Sequence, residues 1–233
     1  MTYSVPALAQ HDLRQRTVLQ QVYAWMAGGL AVTGLVALWA YTSGFISNLL
    51  VRNQGFFIGL IVIELALVMA LSWGIGRMSA PVATGMFLLY SALNGLTMAV
   101  IFLVYTAGSI GTTFLVTAGT FAGMSLYGYT TKRDLTSIGS FLVMGLIGFL
   151  LASVVNFFLK SEALYWLLTY AGILIFIGLT AYDTQKIKRL SATLDGHSDQ
   201  AMLRRVVLMG ALTLYLDFIN LFLLLLRVLG RRR

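Results

Sequence analysis

Three acidic side chains lie where acids are expensive. The chain has eight Asp and Glu among 233 residues, and most fall in polar stretches or at the ends of apolar ones. Glu64, Asp183 and Asp217 instead sit within or against long apolar runs. A charged side chain at membrane depth costs about 2.5–3.5 kcal/mol on insertion scales, so such groups face a protein interior, take a partner and mark ion or proton paths. Asp217 is the clearest case. At helical spacing Gly210, Thr213 and Asn220 share its face, a polar stripe on an otherwise leucine-rich segment. Asp183 closes the preceding segment, with Thr169, Gly172 and Thr180 on its face. Counting about 1.5 Å per residue, Asp183 lies roughly 9 Å and Asp217 roughly 15 Å into the membrane, so two antiparallel helices would let them meet. Two carboxylates in a low-dielectric site cannot both ionise cheaply, and they titrate as a unit. Protonated, such a pair latches helices together; deprotonated, its oxygens suit a hard cation such as Ca²⁺. The plainer reading makes each aspartate a protonated hydrogen-bonding glue. Glu64 has only Leu60, Leu67, Leu71 and Ile75 on its face and reads either as a neutral, hydrogen-bonded side chain or as a wall of the same ion path.

Positioning these groups falls to apolar helices. Apolar residues make up 59% of the chain and charged ones 10%, far below the roughly 25% of soluble domains. The surplus apolar surface must face lipid. A span needs about 20 apolar residues, and seven windows qualify: 22–41, 56–75, 81–104, 109–129, 138–159, 163–182 and 206–229. The expected fold is an all-α integral membrane protein, a bundle of seven transmembrane helices. A polar segment, 1–21, precedes the membrane domain of 22–229, and a basic tail, 230–233, follows it. The sixth helix is expected to run on into the headgroups through about Leu190, and a turn is expected at 195–199. Gly119 with Gly123, and Ser91 with Gly95 and Ala99, have the small-residue spacing of close helix contacts.

The net charge of +8 does not point to nucleic acid, because the cations cluster at the ends of apolar segments. Arg14, Arg16, Arg77, Lys132, Arg133, Lys186, Lys188, Arg189, Arg204 and Arg205 fall on one face. Arg52, Lys160, Arg227 and the tail arginines fall on the other. The more cationic face is the cytoplasmic one, which puts the N-terminus inside. Seven crossings leave the tail outside, whereas a re-entrant last segment would return it. The chain has no cysteine, and His11 and His197 lie outside the apolar segments, so neither a thiolate nor a histidine site is expected in the membrane. Metalloprotease, serine-hydrolase and P-loop motifs are absent. An intramembrane aspartyl protease would need two membrane aspartates; Tyr182-Asp183 fits half of its pattern, but Leu216-Asp217 lacks the glycines. No enzyme and no resident cofactor are expected.

Two stretches carry a resemblance. Gly178-Leu179-Thr180-Ala181-Tyr182-Asp183-Thr184-Gln185 closes the sixth helix, and Gly210-Ala211-Leu212-Thr213-Leu214-Tyr215-Leu216-Asp217-Phe218-Ile219-Asn220-Leu221-Phe222 fills the seventh. With Glu64 and the seven-helix hydropathy, they resemble the Bax inhibitor-1, or transmembrane Bax inhibitor motif, family in its bacterial inner-membrane branch. The resemblance implies a central last helix and a pH-sensitive Ca²⁺ leak, with Asp183 and Asp217 as sensor and tentative Ca²⁺ ligands. It implies an ion path past Glu64, to which Thr213 and Asn220 on the Asp217 stripe would add lining. Arg77, at a helix end, is the nearest candidate for the family's latch arginine. The implied surroundings are the lipid bilayer and the passing cation. Some bacterial relatives are linked instead to modulation of a membrane-bound protease, so a membrane protein partner is the second expectation.

Overall fold

The computed structural model describes residues 7–52, 54–75, 78–192 and 200–233. Among them the chain is all helix: α1 Ala7–Thr42, α2 Phe45–Arg52, α3 Gln54–Gly74, α4 Ala80–Met98, α5 Ile101–Val104, α6 Ala107–Thr130, α7 Thr136–Leu159, α8 Glu162–Ala192 and α9 Gln200–Leu229. Seven stretches are long and apolar enough to cross a membrane: Gln15–Thr42, Gly55–Gly74, Ala80–Val104, Ala107–Thr130, Thr136–Leu159, Glu162–Ala192 and Met202–Leu229. Each coincides with an expected window. The first begins earlier than 22, because the polar residues before it continue the helix of α1. The last is an unbroken helix, and its 28 residues reach about 42 Å at 1.5 Å each, long enough to cross.

Two details lie beyond the sequence reading. The connection after the first span contains α2, a short helix entered through Gly44, whose φ of 70° suits a residue without Cβ. Ile46 of α2 is fully buried beside Ala37, Ala40 and Ala99. The third span divides into α4 and α5, where Ala99 N–H is shared between the carbonyls of Gly95 and Leu96 and Phe102 N–H bonds to Ala99 O at 3.2 Å, the tight 3₁₀ form of a helix end.

Burial separates the helices by role. In α9, 72% of the spanning window is buried; in α7, only 6%. A helix with one face in protein and three in lipid needs no amphipathic stripe, since hydrocarbon solvates Leu and Phe as well as a core does. Hence Phe157 on α7 and Trp73 on α3 stand 76% and 82% exposed without penalty, while α9 is the interior helix, as the resemblance implies.

The chain forms two compact units, one of the described residues up to 104 with 187–215, the other of 105–186 with 216–233. In the first, α1 lies hard against α4. A Cβ on Gly95 would stand 2.6 Å from the Thr33 carbonyl and 2.9 Å from Val36 Cβ, and one on Gly29 would meet the Phe87 ring. Ser91 and Ala99 are fully buried on this seam, so the spacing of Ser91, Gly95 and Ala99 does mark a contact. In the second unit, the buried stripe of α6 is Thr113, Thr117, Phe121, Ser125 and Gly128. A Cβ on Gly128 would collide with the Ala181 carbonyl of α8, and one on Gly139 of α7 with the Tyr182 ring. The Gly119 and Gly123 pair corrects the sequence reading. A Cβ on either meets nothing within 4 Å. The spacing was a contact spacing, but the face it lies on turns away from α8.

Substituting Ala at Gly95 or Gly128 is expected to lower thermal stability in detergent by about 1–3 kcal/mol, the usual cost of overpacking. Ala at Gly119 or Gly123 should stay within about 0.5 kcal/mol of the parent. Equal losses at all four positions would contradict these contact faces.

Candidate functional site: a buried carboxyl pair

α8 does not stop where its apolar run ends. It continues through Lys186 and Arg189 to Ala192, which puts Asp183 inside the helix and not at its frayed tip. α9 returns antiparallel in this unit and presents Asp217. The two side chains lie within hydrogen-bond reach of each other. They are 8% and 4% exposed, and Asp217 Oδ2 is buried with no partner among the described residues. A hydrogen bond between carboxyl groups requires that one of them hold a proton, since ionised carboxylates only accept. Without it, two unit charges about 4 Å apart would repel by on the order of 4 kcal/mol at an effective dielectric of 20. That exceeds the 0.5–1.5 kcal/mol of an ordinary hydrogen bond. The pair therefore has three available states: share a proton, separate, or admit a cation.

Its surroundings are closely packed and hydrogen-bonded. Lys186, one turn along, acts electrostatically on Asp183 and lies 5.8 Å above the Tyr182 ring. Thr184 reaches Ser125 Oγ of α6 at 3.5 Å. Gln185 is the residue the sequence reading did not single out, although it stands in the quoted motif. Its Oε1 accepts from Leu135 N at 2.9 Å, and its Nε2 donates to Arg133 O at 2.9 Å. A buried amide thus holds the turn between α6 and α7 from two residues beyond Asp183. Phe218, next to Asp217, packs edge-on against Phe114 and Phe121 at 5.4 and 5.5 Å, fixing the rotation of α9.

Of the other expected site residues, Glu64 lies in the first unit. Its own helix face is apolar, as read, but α4 supplies what the helix lacks. Thr97 Oγ1 donates to Glu64 Oε2 at 3.3 Å, and Asn94, one turn away, donates to Tyr90 OH at 3.3 Å. Glu64 Oε1 and Asn94 Oδ1 are buried without a partner among the described residues. A second polar group in this unit joins Tyr215 to Thr33 at 2.7 Å, and Thr33 in turn reaches the carbonyls of Gly29 and Ser91 at 3.0 and 2.8 Å. Neither group was visible in the sequence, because the partners come from different helices. Thr213 donates to Met209 O at 3.0 Å and Asn220 to Leu216 O at 2.8 Å, so each bonds back to its own helix and keeps an oxygen as acceptor. Thr213 belongs to the first unit and Asn220 to the second. Arg77 and the turn at 195–199 lie outside the described residues. Among the described residues no three acids or histidines gather as a metal cluster; the site offers two carboxyls.

Fold and site define a multi-pass α-helical membrane protein with two carboxyl groups buried between two of its helices. The family model described as inhibitor of apoptosis-promoting Bax1 matches residues 15–233. The chain is 57% identical over 218 residues to the inner membrane protein YbhL of Escherichia coli K12, covering 94% of this chain and 93% of that one. It is 45% identical over 224 residues to a protein of Borreliella burgdorferi, covering 96% of each, and 42% identical over 218 residues to protein RP147 of Rickettsia prowazekii, covering 94% and 91%. The chain belongs to the Bax inhibitor-1 family and is a multi-pass inner membrane protein.

Replacing Gln185 with Leu removes both bonds to the α6–α7 turn and strands the Leu135 amide. The expected cost is about 1–3 kcal/mol, with faster hydrogen exchange at Leu135. Unchanged exchange there would show that Gln185 does not hold the turn.

Proposed function

We propose that this protein is a pH-sensitive cation leak channel of the inner membrane, with Ca²⁺ as the passing ion and the Asp183–Asp217 pair as its sensor. One observation carries the reading: two buried carboxyls within hydrogen-bond reach of each other, with Asp217 Oδ2 left over. While the pair shares a proton, α8 and α9 are joined and the pair carries one negative charge instead of two. Once the proton is lost, the oxygens repel each other or take a cation in its place. Protonation and cation occupancy then compete for the same atoms. A resident Ca²⁺ takes six to eight oxygen ligands, and two carboxyls fall well short of that. They suit an ion that passes, with water completing its shell. Glu64, the path-lining residue that the resemblance implies, and Asn94 each keep an unpartnered buried oxygen in the first unit. By the positive-inside count the N-terminus faces the cytoplasm.

The test is Ca²⁺ uptake into proteoliposomes, from mildly acidic to mildly alkaline pH, for the parent and for Asp183→Asn and Asp217→Asn. The parent should show pH-dependent flux, and either substitution should flatten that dependence, because an amide cannot lose the proton. Glu64→Gln should lower the flux and leave its pH profile in place. If the parent passes no more Ca²⁺ than empty liposomes at any pH, the channel reading falls. The carboxyl pair is then a structural latch, and a membrane protein partner such as a protease becomes the role to pursue.

A further inference from the structure

A cavity of about 700 Å³ opens in the second unit where α7 turns into α8, beside the end of α9. Its lining combines two chemistries. Leu150 and Phe157 belong to it and are themselves 55% and 76% exposed on α7, so part of the lining meets hydrocarbon. Lys160 and Arg227 belong to it as well, together with Ser153, Asn156 and Ser161. One acid, Glu162, lines it as well, which leaves one net positive charge.

The turn that carries Lys160 is built with care. Asn156 O accepts from Lys160 N at 2.8 Å, and Asn156 Oδ1 accepts from Ser161 N at 3.0 Å. Ser161 Oγ then accepts from Leu164 N at 3.3 Å, in the first turn of α8. Lys160 itself sits at φ 51°, and no other non-glycine among the described residues has a positive φ. A left-handed lysine costs on the order of 1–2 kcal/mol that glycine or asparagine would largely avoid. The turn therefore keeps a cation at this place against its backbone preference. Arg227 is held across the cavity with its guanidinium 5.3 Å over the Tyr165 ring, which orients the charge without neutralising it.

A cavity fringed by two cations is a poor mouth for a cation path and a good seat for an anion. Its exposed apolar lining, Leu150 and Phe157, says which anion. We propose that this cavity binds an anionic membrane phospholipid, with the phosphate between Lys160 and Arg227 and an acyl chain along Leu150 and Phe157. The site is separate from the carboxyl pair, and it would hold the α7–α8 turn to one end of α9 through the lipid.

Trp166 reports on it, since its ring lies 5.6 Å from that of Tyr165. In a variant retaining Trp166 as the sole tryptophan, reconstituted in mixed vesicles, quenching by brominated phosphatidylglycerol is compared with quenching by brominated phosphatidylcholine. One net positive charge near the headgroups predicts about a fivefold preference for the anionic lipid. Lys160→Asn with Arg227→Gln should abolish the preference; Lys160→Arg with Arg227→Lys should keep it. Equal quenching by the two lipids in the parent overturns the proposal, as does a preference that survives neutralisation of both cations. Displacement of the anionic lipid by millimolar inorganic phosphate overturns it too, because the site would then take a free anion.

Discussion

Two buried carboxyl groups that cannot both ionise cheaply set the terms for the helices around them. Asp183 and Asp217 cannot be pulled apart without leaving a buried acid unpaired, and they cannot both ionise without repelling each other. The surrounding structure holds them at that distance. Ala181 presses its carbonyl onto Gly128, Tyr182 lays its ring over Gly139, and Gln185 ties down Leu135 and Arg133. Five consecutive residues of α8 thus fix its position against α6, α7 and α9. A change in the charge of one carboxyl would be felt by every one of these contacts, since packed interfaces switch between arrangements and do not deform smoothly.

Lipid as solvent explains why contacts of this kind, and not a graded hydrophobic core, hold the fold. Hydrocarbon gives no reward for bringing leucines together, so specificity comes from close backbone approach and from hydrogen bonds between helices. The α1–α4 seam shows the first, with Gly95 admitting the backbone at Thr33. The Tyr215–Thr33 bond shows the second. α7, with almost no buried surface in its span, stays in place through Gly139, Gly178 against Leu142, and the short turns at its ends.

The sequence made the anomalies legible and left their partners hidden. An aspartate among leucines stands out in one dimension, and the hydrophilic continuation of α8 through Arg189 was enough to place Asp183 within the membrane, where Asp217 could approach it. Seven apolar runs gave the architecture directly. What a single strand of text does not carry is which face of a helix meets which neighbour. Gly119 and Gly123 have the spacing of a contact and face away from one. Glu64 looks isolated on its own helix and finds Thr97 on another. Gln185 looks like an ordinary polar residue after an apolar run, and its role depends on a turn fifty positions away. Small residues and polar side chains have no fixed direction until their helices pack.

The central claim is that Asp183 and Asp217 behave as one titrating unit. Infrared difference spectroscopy of the reconstituted protein, titrated through the carboxyl region with aspartate isotopically labelled, follows the protonated carboxyl band directly. Two coupled steps are predicted in the parent, collapsing to a single uncoupled step when either residue is replaced by Asn. Two independent titrations in the parent, with the remaining aspartate unmoved by substitution of the other, would contradict the account.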